Sequence, residues 1–193
     1  MNKPIILHNS EEYEDPNQYD VENDRYVDDI PFLSKWALQA SGCIIDLGCG
    51  TGRVTIPLAT EGYHMIGVDI HRGMLDQAVK KSMDRNVAVE WIQQDCSELQ
   101  LNVTSSFIFM VGNSFQHFLT NEAQNKLLQS VNRHLEHQGI FIFNTRFPSM
   151  EELFQPSSEE FWKSYVNGSD GETVDISTIC SYNSLNNFNT TLP

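Results

Sequence analysis

The apolar positions of the chain gather into short runs separated by amphipathic stretches. Cys43 to Leu47 is the first clear run, bounded by glycines, as expected of a strand covered on both faces. It leads into Gly48-Cys49-Gly50-Thr51-Gly52 and a helix expected from about Gly52 to Thr60, in which Pro57 predicts a bend or an open first turn. His64 to Asp69 reads as the second strand, and Gly73 to Met83 as a helix with Met74, Leu75, Ala78, Val79 and Met83 on its inner side. Val87 to Ile92 and Ser106 to Val111 are the third and fourth strands, the latter apolar enough for the centre of a sheet. Thr120 caps a helix whose face is Ala123, Leu127, Leu128, Val131 and Leu135; Gly139 stops it, and Ile140 to Asn144 is the fifth strand. Strand and helix alternate throughout, the pattern of an α/β doubly wound, mostly parallel sheet with helices on both faces.

The two ends depart from that pattern. Residues 9–29 hold nine carboxylates against Arg25, with Tyr13, Tyr19 and Tyr26, and by composition read as a solvated arm. Asp28 to Ala40 follows as a helix with Phe32, Leu33, Trp36, Ala37 and Ala40 on one face. In the tail, Ser149 and Glu152 form a capping box for a short helix, and Phe161, Trp162, Tyr165 and Val166 suggest another. Gly168 to Gly171 is a turn, Val174 to Tyr182 an exposed strand, and Asn183 to Pro193 shows no clear strand.

Composition narrows the classes. The length fits a single domain over 1–193, with an N-terminal arm and helix (1–41), the alternating core (42–148) and a tail (149–193). A net charge of −14, with only 12 Lys and Arg, argues against nucleic acid and against an anionic membrane surface. No apolar run approaches the ~20 residues of a membrane span, the apolar patch Ile5 to Leu7 is too short for a signal peptide, and the expected location is cytoplasmic. Cys43, Cys49, Cys96 and Cys180 lack zinc-type spacing and read as reduced thiols.

The glycine turn carries the chemistry. A glycine-rich turn between a strand and a helix lets backbone approach a ligand closely, with free N–H groups pointing at it. A dinucleotide fingerprint needs a third glycine where this chain has Arg53 or Thr55, and a P-loop needs Gly-Lys-Ser/Thr where it has Gly52-Arg53-Val54. The run Asp46-Leu-Gly-Cys-Gly-Thr-Gly52 instead resembles the first motif of the class I S-adenosylmethionine (SAM) methyltransferases, and the resemblance extends over roughly residues 20 to 148.

That resemblance implies SAM as cofactor, with S-adenosylhomocysteine as product. Asp46, Gly48, Cys49, Gly50, Gly52 and Arg53 then belong to the cofactor turn. Asp69, with Ile70 beside it, takes the ribose position at the end of the second strand. Met74 matches the residue packed on adenine, or is plain core. Asp95 and Cys96 match the adenine-recognition element, although an Asp after a strand also caps turns. Tyr19 matches an aromatic lid, and Asn113 and Ser114, after the fourth strand, can orient the methionine part or the acceptor. His117 is the candidate base, with a packed histidine as its other reading. Arg53 and Arg146 are candidates to pair with a carboxylate of cofactor or substrate.

Tyr13, Tyr19, Phe115, Phe118 and Phe147, placed around the mouth, favour a small, partly apolar or cationic acceptor methylated on nitrogen or oxygen, and no metal is required. The competing expectation is a SAM-binding module without turnover. The family ordinarily adds a sixth and a seventh strand; both do not fit the remaining residues, so the C-terminal strands are expected to be missing and the uncovered sheet edge could support a homodimer.

Overall fold

The structure is a computed structural model that describes residues 13–147, 149–150, 158–166, 171–183 and 188–192. It divides into two compact units, residues 1–145 and 146–193. In the first, a five-stranded sheet is built from β1 (Cys43–Leu47), β2 (His64–Asp69), β3 (Glu90–Gln93), β4 (Ser105–Met110) and β5 (Leu135–Phe143). Its order is β3-β2-β1-β4-β5 and every pair is parallel. The helices are α1 (Pro16–Asn23), α2 (Ile30–Ala37), α3 (Thr55–Thr60), α4 (Arg72–Asp84) and α5 (Asn121–His134).

Alternation along the central strands explains the two-sided core. Cys43, Ile45 and Leu47 of β1 join Ile66, Val68, Ile108 and Met110 on one face, where Leu127 and Val131 of α5 cover them. Ile44 points the other way and packs with Met65, Phe107, Phe109, Leu33 and Ala37 of α2, and Leu58 of α3. A strand buried at all five positions must sit mid-sheet, which is where β1 lies. The winding runs β1-β2-β3 in one direction and β4-β5 in the other, so the reversal falls between β1 and β4. Beyond the carboxyl ends of those two strands lies the crevice where such sheets take ligands.

β1 and β2 agree with the sequence expectation end for end. α3 starts at Thr55, three residues later than expected, with residues 51–54 in turns. Pro57 therefore falls in the first helical turn, where proline is best tolerated; its neighbours Ile56 and Leu58 bond the Gly52 and Val54 carbonyls, so the one bond it removes is to the Arg53 carbonyl. α5 ends at His134, and β5 begins at once with Leu135; a register shift opposite Ser105 and Phe107 absorbs the change, so Gly139 lies inside the strand. His134 anchors this corner: its Nε2 accepts from the Leu101 N–H at 3.2 Å and its Nδ1 lies 2.8 Å from the Ser130 carbonyl. Ser130 Oγ accepts from the Leu99 N–H at 3.0 Å, so α5 holds the loop that follows β3.

The second unit corrects the reading of the tail. Glu159–Val166 is a strand, β6, rather than a helix; it pairs antiparallel with β7 (Thr173–Asn183), which pairs with β8 (Phe188–Leu192). Aromatic and β-branched residues at Phe161, Tyr165 and Val166 suit a pleated strand, and cross-strand pairing outweighs their helix-like spacing. β8 forms where no strand was expected, its threonines serving an antiparallel edge. The expected helix from the Ser149–Glu152 box, most of the Gly168–Gly171 turn and the Ile5–Leu7 patch lie outside the described residues.

Candidate functional site

At the crevice, the end of β1 passes into a turn in which Gly48, Gly50 and Gly52 have φ of 67°, 56° and 84°. Only glycine adopts such values without strain. A single cavity collects residues from every neighbouring element: the turn itself, the ends of β2 and β4, the loop after β3, α4 and the segment ahead of α2. Of the residues singled out in the sequence, Tyr19, Asp46, Gly48, Cys49, Gly50, Arg53, Asp69, Ile70, Met74, Asp95, Cys96 and His117 all line it.

Gly52 and Asn113 are not among its lining residues. Gly52 faces the other way: a Cβ there would lie 2.8 Å from the Trp91 ring and 2.9 Å from Ile56, and one at Gly67 would lie 2.4 Å from the same ring. The Trp91 indole, tied to Ser82 Oγ at 3.3 Å, thus fills the space under the turn, and the third glycine is there for packing. Asn113 sits at φ 63° with its N–H bonded to Asn144 Oδ1, while its neighbours Gly112 and Ser114 face the cavity. Ser114 also explains Gly48, where a Cβ would come within 2.8 Å of its Oγ.

Three carboxylates are among the lining residues. Asp69, 7% exposed, accepts from the Gly50 N–H and the His71 N–H, each at 2.8 Å, so the end of β2 grips the glycine turn directly. Asp95 Oδ1 accepts from Ser97 N–H and Ser97 Oγ, each at 2.8 Å; it caps the turn that presents Cys96 and also faces the cavity. Asp46 is buried, accepting from Thr55 Oγ1 at 2.6 Å, and burial pushes its pKa up to about 7. The Cys49 and Cys96 thiols are buried too, and burial raises both pKa values, which keeps them neutral.

Two sequence expectations change. Arg53 does not wait for a ligand carboxylate: its guanidinium donates to both oxygens of Asp29, at 2.8 and 2.7 Å, and to the Tyr26 carbonyl at 2.6 Å, with the Tyr26 ring 5.3 Å away. Of the aromatic mouth, Tyr13, Tyr19 and Phe118 line the cavity, whereas Phe115 stacks on Phe143 at 4.4 Å and Phe147 is 94% exposed in the other unit.

In the same lining, Tyr13 Oη and His117 Nε2 lie 2.8 Å apart, and the Tyr13 ring also packs on His71 at 5.2 Å and on Tyr19 at 5.7 Å. Burial, with His71 nearby as a second cause, lowers the His117 pKa. His71, Thr51, Val54, Met110 and Val111 line the cavity without having been singled out. The signal for α1, which carries Tyr19, was present: Asp15-Pro16 is an N-cap followed by a first-turn proline, and Asp15 accepts from Asn17 and Gln18 N–H.

The charge pattern tests which ligand fits. Arg53 is the only Lys or Arg lining the cavity among the described residues, and Asp29 already neutralises it. A pyrophosphate would meet Asp46, Asp69 and Asp95 without a cation to receive it. A ligand with hydroxyls, an amine and a sulfonium suits these carboxylates.

Known proteins agree with this reading. Residues 44–139 match the family described as a methyltransferase domain. The cypemycin N-terminal methyltransferase of Streptomyces sp is 35% identical over 108 residues, covering 55% of this chain and 42% of that protein. The glycine/sarcosine N-methyltransferase of Parasynechococcus marenigrum (strain WH8102) is 29% identical over 105 residues, covering 53% and 37%. A SAM-dependent methyltransferase structure from Clostridium acetobutylicum ATCC 824 superposes with a TM-score of 0.69 at 21% identity, covering 87% of this chain and 70% of that one.

The fold is that of a class I, Rossmann-like methyltransferase, and residues 44–139 place the chain in the methyltransferase-domain family. It spans about half the length of the curated relatives it matches, 50%, 42% and 62% of the first three. Among the described residues no helix is long and apolar enough to cross a membrane.

Proposed function

We propose that the chain binds SAM in this cavity and transfers its methyl group to a nitrogen or oxygen of a small molecule. The observation that carries the reading is the Tyr13–His117 pair, 2.8 Å apart, in the same cavity lining as Asp69 and Asp95. When bound, SAM supplies an activated methyl group on a sulfonium whose leaving group is a neutral thioether. Asp69 accepts hydrogen bonds from the ribose hydroxyls beside its two backbone donors, and Asp95 and Met74 receive the adenine. Tyr19, 3.9 Å from where a Gly50 Cβ would stand, covers the turn and excludes water.

The acceptor lies against Tyr13, His71 and His117. Because burial keeps His117 neutral, it can take the proton that the nucleophile releases, through the Tyr13 hydroxyl bonded to its Nε2. The remaining work is alignment of nucleophile, methyl and sulfur. An amine acceptor is favoured by the aromatic lining and by the names of two relatives, an N-terminal methyltransferase and a glycine/sarcosine N-methyltransferase.

Calorimetry with SAM, S-adenosylhomocysteine and NAD, followed by methyl transfer across a panel of small amines, phenols and alcohols, tests the proposal. SAM binding and turnover on an amine are expected. NAD binding without SAM binding overturns it, and SAM binding with no turnover on any acceptor leaves a SAM-binding module in its place.

A further inference from the structure

Residues 13–29 carry seven carboxylates, with Arg25 as their one cation, yet they place Tyr13 and Tyr19 in the wall of the cavity. Apolar burial does not hold this segment, since α1 has no buried residue. Two cations from outside do. Arg53 forks onto Asp29 as described, and Lys81 reaches up from α4 to Asp20 Oδ1 at 2.8 Å and to both oxygens of Asp24 at 2.9 and 2.8 Å.

The Lys81 end is joined to the cofactor turn. Asp20 also accepts from Thr51 Oγ1 at 2.5 Å and from Gln77 Nε2 at 2.9 Å, and Lys81 Nζ lies 3.3 Å from the same Thr51 hydroxyl. Thr51 is fully buried and follows Gly50, whose N–H bonds Asp69. Burial by itself would raise the Asp20 pKa; hydrogen bonds from Lys81, Thr51 and Gln77 outweigh it and hold the carboxyl below its usual value. The Lys81 and Asp20 side chains are only 19% and 13% exposed, so water and salt screen the pair less than they screen a surface contact. Lys81 itself is not among the residues lining the cavity.

We propose that Lys81 is a positioning residue whose ion pairs latch the acidic N-terminal segment over the cavity, so that opening of this latch sets the rate at which the cofactor leaves. This rests on the reading of the cavity as a SAM site. The latch is electrostatic on one side and joined to the glycine turn on the other, so closing α1 and shaping the turn are one event.

The test compares Lys81→Met, Lys81→Arg and Asp24→Asn with the native chain, well below each unfolding temperature. Radiolabelled SAM is chased with excess unlabelled SAM, and amide hydrogen exchange of residues 15–23 is followed without ligand. Lys81→Met should release SAM about tenfold faster, since two charge-assisted contacts are lost. Its α1 amides should exchange faster, Lys81→Arg should restore both, and Asp24→Asn should give a smaller change in the same direction. Raising salt should speed release from the native chain and leave Lys81→Met unaffected. Unchanged release in both Lys81→Met and Asp24→Asn overturns the latch. If the native chain does not bind SAM, the functional reading fails, while the exchange arm still decides whether Lys81 holds the segment.

Discussion

At the turn end of the cavity, the carboxylates are fixed by groups near them in the chain or on the adjoining turn: Asp95 by Ser97, Asp46 by Thr55, Asp69 by His71 and Gly50. At the mouth, side chains reach across long stretches of sequence: Tyr13 meets His117 over 104 residues, and Lys81 meets Asp20 over 61. The first end draws its partners from two to nineteen residues away in the chain, and they include backbone N–H groups. The second exists only while an acidic segment without buried residues stays docked. On the proposed function, the groups assigned to binding and those assigned to chemistry rest on different supports, and altering each end should give different symptoms.

The largest effect is expected at the mouth. His117→Gln should lower kcat by about 10²–10⁴-fold while leaving SAM affinity within about twofold, by steady-state kinetics and calorimetry. The native pH–rate profile adds a sign. Burial, then His71, lowers the His117 pKa from 6.5, so the base is free at neutral pH and the acid limb should fall below that value. A limb at or above it, or one that persists in His117→Gln, would remove His117 from the base role.

At the turn end the symptom should be binding. Asp69→Ala is expected to weaken SAM by ~1–3 kcal/mol in calorimetry, and an unchanged affinity would take Asp69 out of the site. The smallest effect concerns stability. Because the folded pKa of Asp46 is raised from 3.8 to about 7, chiefly by burial, its favourable contribution is complete below the unfolded value and is lost as pH rises through about 7. Thermal unfolding should thus weaken from mildly acidic to mildly alkaline pH by on the order of 1 kcal/mol, ~2–4 °C in Tm, and Asp46→Asn should flatten that slope. A slope identical in both chains would contradict an ionising Asp46.

Legibility followed the same division. β1 and β2 were readable to the residue because short, mainly apolar runs bounded by glycine turns can only be satisfied between two layers. Asp46, Asp69 and Asp95 were readable because their place is set by the end of a strand. α1 was hidden by its charge: it is polar all round, and only the Asp15 cap marks it. Gly52 was recognised as a glycine but for the wrong neighbour, since nothing local shows that Trp91 of another strand lies beneath it. Phe161 to Val166 misled because aromatic spacing is compatible with a helix until a partner strand is supplied.

What the sequence determined by itself was the alternation of strand and helix, the glycine turn at the end of β1 and the row of acids beside it. These follow from short-range rules of periodicity, sterics and capping. Only the tertiary structure decided that Arg53 serves Asp29, that Tyr13 meets His117 and that Lys81 fastens α1 to Thr51. The physical reason is that long polar side chains carry little local preference. Their partners are chosen by which charges the packed sheet and helices bring within reach, and by the cost of leaving a buried charge unpaired.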